Sequence, residues 1–306
     1  MKKKLLAGIL ALALCSTNMP PQTIFAGEFT SGNPDVVSEE ETPEVFTDEN
    51  QESAGETEEE LSVFSEGTSE FEDNNNETNK PNEEPQIVDV DLTSNSITGN
   101  VYTITSADTA YRFTSDGKET SNRITISDSI TTAKPICIYL KNVNIKTSEG
   151  PALRIPANLN ADVHIYLEGE NILETSNRDS AALQKENTSE LIINSAGSLT
   201  AAAINTDTST ETGVQKILAW GAGIGGGANQ KGSNITINGG SITASSTVGA
   251  GIGGGKNGNG SSITINGGTI TAKAGTGAGI GGGELCHGSN ITIKNGFVTA
   301  DSAIGA

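Results

Sequence analysis

Two tyrosines, Tyr139 and Tyr166, occupy matching positions in two similar segments that lie 27 residues apart. The segments read ICIYLKNVNI and VHIYLEGENI, and apolar residues flank each tyrosine on both sides. If both segments are strands, the flanking residues face the core and the tyrosines face outward. Outward aromatic rings suit stacking against sugar rings, which predicts a ligand-binding strip. A cross-strand ladder that only stabilises the sheet explains the same pattern.

Three further residues extend this candidate site. Lys141 and Glu168 follow the two tyrosines at matching positions and would add polar contacts beside the rings. Trp220, the only tryptophan, ends a loop inserted between repeats, where it is either a second aromatic contact or a plug packed under that loop. The predicted ligand-binding residues are therefore Tyr139, Tyr166, Lys141, Glu168 and Trp220.

Catalytic and phosphate-binding chemistry is not predicted. The motif GAGIGGG formally matches a dinucleotide-binding loop, but such a loop follows a strand, opens a helix and precedes an acidic residue. It also lacks the aspartate of the glycine-rich calcium-binding repeat. Residues 221–306 contain two acidic residues, Glu284 and Asp301, and no arginine, while His164 and His287 share no visible partner. Because no catalytic constellation can be assembled, we predict that the protein is not an enzyme and has no catalytic residues.

A 28-residue repeat positions the residues of the second half. GAGIGGG begins at Gly221, Gly249 and Gly277, and each copy continues into an Ile-Thr-Ile segment and a second alternating segment. A fixed period of this size indicates stacked repeats. The alternation indicates strands, and the Asn-Gly pairs indicate corners. The predicted fold is all-β, a parallel β-helix (solenoid) with three short strands per coil, in which stacking buries the inward isoleucines.

The same pattern extends upstream of the glycine-rich copies. Apolar residues at positions 0, +2 and +7 recur in five segments, which begin at Ile138, Ile165, Ile235, Ile263 and Ile291, and a sixth segment beginning at Leu191 follows the rule with one extra residue at the corner. This rule places Ile145 and Ile172 inside the core, and it places Gly223 with its equivalents Gly251 and Gly279 on the outer face. Residues 204–218 are a predicted insertion, and residues 87–134 are either a first irregular coil or a cap over the open end.

The first 86 residues differ from the rest. Residues 1–26 have three lysines followed by an apolar run too short to span a bilayer, which predicts a signal peptide and a secreted or cell-surface protein. Residues 27–86 contain 20 Asp and Glu residues against one Lys, which predicts an acidic disordered linker. Residues 87–306 are the predicted β-helix domain, and we expect its C-terminus to be truncated because the chain stops at the start of a repeat. This domain carries a charge of only −4, so no nucleic-acid partner is predicted, and the chain has no predicted transmembrane segment.

Cys137 and Cys286 are the two cysteines downstream of the predicted signal peptide. They fall about five coils apart, on the order of 24 Å, which exceeds the reach of a disulfide. We predict that both are free thiols.

The order of motifs resembles that of a known group. SNRITIS, ICIYLKNVNI, GPALRI, VHIYLEGENIL, LIINSAGSLTA and GAGIGGG with ITINGGSITA resemble segments of secreted bacterial carbohydrate-binding parallel β-helix repeat proteins, over roughly residues 95–306. The resemblance implies a right-handed β-helix, export from the cell and polysaccharide binding without cleavage. It also implies that calcium can be bound, since some relatives are associated with it, although the residues themselves predict no cofactor. The matching motifs build coils, so the resemblance assigns no binding residue.

Three functions compete on these observations. The first is a non-catalytic polysaccharide-binding or adhesive module, held away from the cell by the acidic linker. The second is a structural surface stalk without a ligand, and the third is a polysaccharide lyase or hydrolase. Glycan binding distinguishes the first from the second, and release of reducing or unsaturated chain ends identifies the third.

Overall fold

The computed structural model describes residues 86–204 and 218–304. The predicted signal peptide and almost all of the predicted acidic linker lie outside these ranges, as does most of the predicted insertion. Within them, every strand pairing is parallel. The strands form three sheets, and the chain visits the sheets in the same order in successive coils. The predicted parallel β-helix is therefore confirmed.

The three sheets are named A, B and C, and their strands are numbered in chain order. Sheet A contains β1 (Ile87–Asp91), β3 (Ala110–Thr114), β6 (Ile136–Lys141), β9 (Val163–Glu168), β12 (Leu191–Ser195), β15 (Gly232–Ile237), β18 (Gly260–Ile265) and β21 (Gly288–Ile293). Sheet C contains β4 (Glu119–Thr120), β7 (Asn144–Thr147), β10 (Glu170–Thr175), β13 (Ser198–Ala203), β16 (Ser241–Ser246), β19 (Thr269–Ala274) and β22 (Phe297–Ser302). Sheet B contains β2 (Val101–Ile104), β5 (Arg123–Ile126), β8 (Leu153–Ile155), β11 (Leu183–Lys185), β14 (Ile224–Gly225), β17 (Ile252–Gly253) and β20 (Ile280–Gly281). A 3-10 turn, Thr98–Asn100, precedes β2.

Residues 87–134 belong to the solenoid. Their strands β1 to β5 pair in parallel with one another or with the next coil, for example Arg112 with Tyr139 and Ile124 with Leu153. Of the two alternatives raised for this segment, the irregular coil is correct. Because these strands continue the same sheets, the first coils align their side chains with those of later coils.

The core consists of columns of inward-facing side chains. In sheet A, Ile237 pairs with Ile265 and Ile265 with Ile293, as the repeat predicts. Ile237 and Ile265 are fully buried. Each buried isoleucine of this kind stabilises the fold by roughly 1.5–3 kcal/mol relative to an exposed one. The columns therefore supply the apolar burial that a single coil lacks.

The predicted alignment of the earlier coils with the later ones is wrong by two residues. Ile136 and Val163, rather than Ile138 and Ile165, lie in the column of Leu191. A shift of two residues keeps every side chain on its face, because strand side chains alternate with period two. The inward and outward faces of β6 and β9 were therefore predicted correctly although their register was not.

The prediction that Ile172 faces the core is also wrong. Ile172 is only partly buried, and Leu173 is the fully buried residue that pairs with Ile145. The neighbouring core position is taken by Asn171, which is 1% exposed. Its Oδ1 accepts a hydrogen bond from Val143 N, and its Nδ2 donates to Glu168 O and Ser198 O. A buried asparagine bonded to adjacent coils interrupts the apolar pattern on which the prediction depended.

The glycine-lined outer face is a further prediction that the structure corrects. Gly223, Gly251 and Gly279 are all buried. A Cβ on Gly223 would lie 2.6 Å from Ser245 N and 2.7 Å from Gly251 O, closer than real Cβ atoms come. These glycines are required because backbone segments approach one another there, so they offer no surface to a ligand.

Cys286 is a free thiol, as predicted. Cys137 is disulfide-bonded, which corrects the prediction that it is free. The distance argument excluded only a bond between Cys137 and Cys286 and did not address any other partner. Within the described ranges, no helix has the length and apolar character needed to cross a bilayer.

Candidate functional site

One line of side chains runs along the outer face of sheet A, with one residue per coil. Strand register places Asp89 beside Arg112, Arg112 beside Tyr139, Tyr139 beside Tyr166 and Tyr166 beside Asn194. Hydrogen bonds continue the line to Asn238 and Asn266. We call these seven residues the sheet A column: Asp89, Arg112, Tyr139, Tyr166, Asn194, Asn238 and Asn266. At one coil per step, the column is about 29 Å long.

Tyr139 and Tyr166 form a stacked pair in this column. Their ring centroids are 4.8 Å apart and their planes differ by 17°. The predicted pairing of the two residues on adjacent coils is therefore confirmed, as is that of Cys137 with His164 and Lys141 with Glu168. The tyrosines belong to a small apolar cluster with Ala110 and Cys137 that is separate from the main core.

The tyrosine rings are less accessible than the sequence predicts. Tyr139 is 3% exposed and Tyr166 is 8% exposed. Burial, followed by the neighbouring Tyr139, raises the pKa of Tyr166 to about 12. Burial also raises the pKa of Tyr139, whose hydroxyl has no hydrogen-bond partner within the described residues. An outward direction from the strand therefore does not give the expected open strip, since both rings are buried as well as stacked.

Ion pairs flank the tyrosines. Arg112 Nε lies 2.5 Å from Asp89 Oδ1 and Arg112 Nη2 donates to Asp89 Oδ2 at 2.8 Å, which is a bidentate pair. Lys141 Nζ lies 3.7 Å from Glu168 Oε2, and both side chains are about half exposed. The structure thus brings four of the five predicted binding residues together, with charged groups at the rim of the aromatic pair.

Three asparagines continue the column on the other side of the tyrosines. Asn238 Nδ2 donates to Asn194 Oδ1 at 2.8 Å, and Asn266 Nδ2 donates to Asn238 Oδ1 at 2.7 Å. We call Asn194, Asn238 and Asn266 the asparagine ladder. Sequence reasoning missed it, although the 28-residue spacing of Asn238 and Asn266 is visible in the repeats. Asn194 lies 44 residues before Asn238, the same step that separates the segments beginning at Leu191 and Ile235.

Trp220 does not join the other predicted binding residues. It lies in the segment between β13 of sheet C and β14 of sheet B. Arg178 Cζ lies 3.5 Å from the centroid of a Trp220 ring, and Lys256 Nζ lies 4.4 Å from it. Cation–π contacts of this kind hold the indole between neighbouring coils. Of the two interpretations of Trp220, the packed plug fits this partly buried ring better than a second contact for the same ligand does.

Three titratable residues lie close together at the start of strands β9 and β12 of sheet A: Asp162, His164 and Glu190. Asp162 Oδ1 accepts a hydrogen bond from Glu190 N, and Glu190 Oε1 accepts one from the hydroxyl of Thr236. Burial lowers the pKa of His164, and the two carboxylates oppose that shift. Both carboxylates therefore bond to a neighbouring coil. Across residues 86–204 and 218–304, no three His, Cys, Asp or Glu residues are arranged to hold a metal ion.

Comparison with known proteins supports the architecture. A family model described as a beta helix repeat matches residues 235–256 and 263–284, two segments whose starts lie one 28-residue period apart. No curated protein and no solved structure matches the chain. The matched repeats and the parallel strands together show a parallel β-helix repeat protein.

Proposed function

We propose that the β-helix is a non-catalytic polysaccharide-binding module of a secreted or cell-surface protein. The observation that carries this proposal is the sheet A column, in which ionic, aromatic and amide side chains follow one another in register. A polysaccharide repeats its hydroxyl groups along one direction, and the column repeats polar groups along one direction. Such a line suits an extended polymer better than it suits a single sugar.

Most polar members of the column are accessible. Asp89 and Asn238 are exposed, while Arg112, Asn194 and Asn266 are half-buried. Their contacts with neighbouring coils restrict the side chains before any ligand binds. Because a restricted side chain loses less entropy on binding, these contacts favour affinity. The aromatic pair stiffens the centre of the column, and the secreted location follows from the predicted signal peptide.

A structural surface stalk is the second candidate. The same pairs that would contact a polymer also satisfy one another: Arg112 bonds Asp89, and Tyr139 stacks on Tyr166. Such cross-strand pairs stabilise a sheet without any ligand. The burial of both tyrosines favours this candidate more than the sequence alone does.

Cleavage of a polysaccharide is the third and weakest candidate. Asp162 and Glu190 lie on adjacent coils, but each accepts a hydrogen bond that links coils. This bonding is sufficient to explain both carboxylates as structural groups. An enzyme would release reducing or unsaturated chain ends when incubated with its polymer.

Retention of the purified protein on insoluble polysaccharides, together with assays for chain ends, tests all three candidates. Retention without new chain ends is expected. If a broad panel of polysaccharides retains none of the protein, the stalk replaces the proposed function. New chain ends that appear only with intact protein would show an enzyme instead.

A further inference from the structure

We infer that the asparagine ladder is the part of the sheet A column that contacts the polymer, and that the polymer is a neutral polysaccharide lying across the coils. This inference rests on the proposed function and names the contact groups and the ligand class. It assigns the tyrosine pair a supporting role, because its rings are 3% and 8% exposed. The ladder, by contrast, includes the exposed Asn238.

The hydrogen-bonding capacity of the ladder matches sugar hydroxyls. A primary amide has two N–H donors and a carbonyl oxygen with two lone pairs. Asn238 uses one donor toward Asn194 and one lone pair toward Asn266, so one donor and one acceptor remain. A sugar hydroxyl both donates and accepts. Each asparagine of the ladder therefore has a free donor and a free acceptor that can bond one sugar hydroxyl, and these groups repeat at the coil spacing.

The surroundings of Asn238 and Asn266 leave their amides open on one side, whereas Ser195 and Ala196 follow Asn194. Gly239 and Gly240 follow Asn238, and Gly267 and Gly268 follow Asn266, so no side chain rises from these corner residues. Gly240 and Gly268 have φ of +88° and +98°, which disfavour any replacement. The corner is therefore a surface without side chains beside a row of amides, and a polymer can lie along it.

Charge favours a neutral polymer over an anionic one. The acidic and basic groups beside the tyrosines are paired, Asp89 with Arg112 and Lys141 with Glu168. Lys294, one coil beyond Asn266, adds a single positive charge at the end of the ladder. The β-helix domain, residues 87–306, carries a net charge of −4, so it has no net attraction for an anionic polymer.

The test compares two asparagine pairs in the full protein. The first variant is Asn238→Ala with Asn266→Ala. The matched control is Asn229→Gly with Asn257→Gly, which removes another pair of inter-coil amides, hydrogen-bonded at 3.0 Å. Glycine is chosen for the control because Asn229 and Asn257 have φ of 61° and 58°, where alanine would be strained. Far-UV circular dichroism and thermal unfolding check that both variants fold.

Affinity electrophoresis with an unsubstituted β-glucan and with polygalacturonate measures binding. We expect the wild type to bind the neutral β-glucan, the ladder variant to bind about tenfold more weakly and the control to bind within about twofold of wild type. If the wild type binds and the ladder variant binds equally well, the inference fails while the proposed function stands. Stronger binding of polygalacturonate than of the β-glucan would overturn the choice of a neutral ligand. If the wild type binds no polysaccharide at all, both the inference and the proposed function fail.

Discussion

The glycine-rich coils and the coils that precede them stack on one another through different sets of side chains. Residues 221–304 repeat one unit, and their core columns consist of isoleucine and alanine. Residues 86–204 vary from coil to coil and hold all the ring–ring contacts among the described residues. They also hold every ion pair described except Lys256–Glu284. The regular coils, residues 221–304, thus rely on uniform packing. The varied coils, residues 86–204, carry the diverse side chains from which a site can be built.

The largest expected loss of stability comes from removing the tyrosine pair of the varied coils. Replacing both tyrosines, Tyr139→Ala with Tyr166→Ala, should lower the free energy of unfolding by more than the roughly 3–5 kcal/mol that the loss of one buried ring costs, because two buried rings are lost. Urea unfolding measures this change. Tyr139→Phe is the matched control and should be neutral or slightly stabilising, since the Tyr139 hydroxyl is buried without a hydrogen-bond partner in the described residues. A double variant as stable as wild type would show that the rings are not packed as described.

The corresponding test of the regular coils is Ile265→Ala. Ile265 is fully buried between Ile237 and Ile293, so its truncation should leave a cavity and cost roughly 2–5 kcal/mol. Thr264→Ala, on the outer side of the same strand, should cost far less. Chemical unfolding of both variants checks the assignment of faces, which equal losses would contradict.

A buried lysine makes the varied coils sensitive to pH. Lys185 is 2% exposed, Nζ donates to Asn187 O, and burial lowers its pKa to about 8 from 10.5. Since the unfolded chain then binds more protons between about pH 8 and 10.5, the free energy of unfolding should rise with pH across this window. Lys185→Met should remove the rise and stabilise the protein at pH 7 by roughly 1–3 kcal/mol.

Unfolding measured from pH 7 to pH 10.5 tests this prediction, with Lys273→Met as the control because Lys273 is exposed. The control should keep the pH dependence of wild type. An unchanged pH profile in Lys185→Met would mean that the lysine is solvated in the folded protein.

The smallest expected effect concerns an irregularity within the regular coils. Ser262 has φ of 53°, and asparagine holds the equivalent positions in the neighbouring coils, Asn234 and Asn290, at 56° and 51°. Asparagine tolerates this left-handed conformation better than serine does. Ser262→Asn should therefore stabilise the protein by up to about 1 kcal/mol, visible as a raised melting temperature. Ser261→Asn, at the preceding residue, should give no such gain, and equal gains would show that the backbone conformation is not the cause.

The contrast between the regions also explains what the sequence could predict. In the regular coils the 28-residue period directly aligned Ile237, Ile265 and Ile293, and the structure has this column. In the varied coils, alternation predicted which way the tyrosines point. The core position was wrongly assigned to Ile172 because Asn171 stands in an otherwise apolar column. A polar residue that is satisfied by inter-coil bonds cannot be told from a surface residue by pattern alone.

The solvent exposure of a residue was harder to predict than the face of the strand on which it lies. The tyrosines point outward yet are buried, and the glycines around Gly223 are buried because backbone approaches them. Neither fact follows from the alternation of one strand, since both depend on what packs against it. The asparagine ladder was missed for a different reason: its three members lie at position +3 of the aligned segments, and the apolar rule describes only the inward-facing positions. A site that forms one residue per coil becomes visible only when the register is known.

The most direct test of the proposed site is nuclear magnetic resonance of the asparagine side chains. With asparagine labelled by nitrogen-15 and a soluble neutral β-glucan oligosaccharide added, the side-chain amide signals of Asn194, Asn238 and Asn266 should shift. The signals of Asn229 and Asn257, which form the other amide pair, should not. Shifts confined to Asn229 and Asn257, or binding of the oligosaccharide without any shift in the asparagine ladder, would contradict the proposed site.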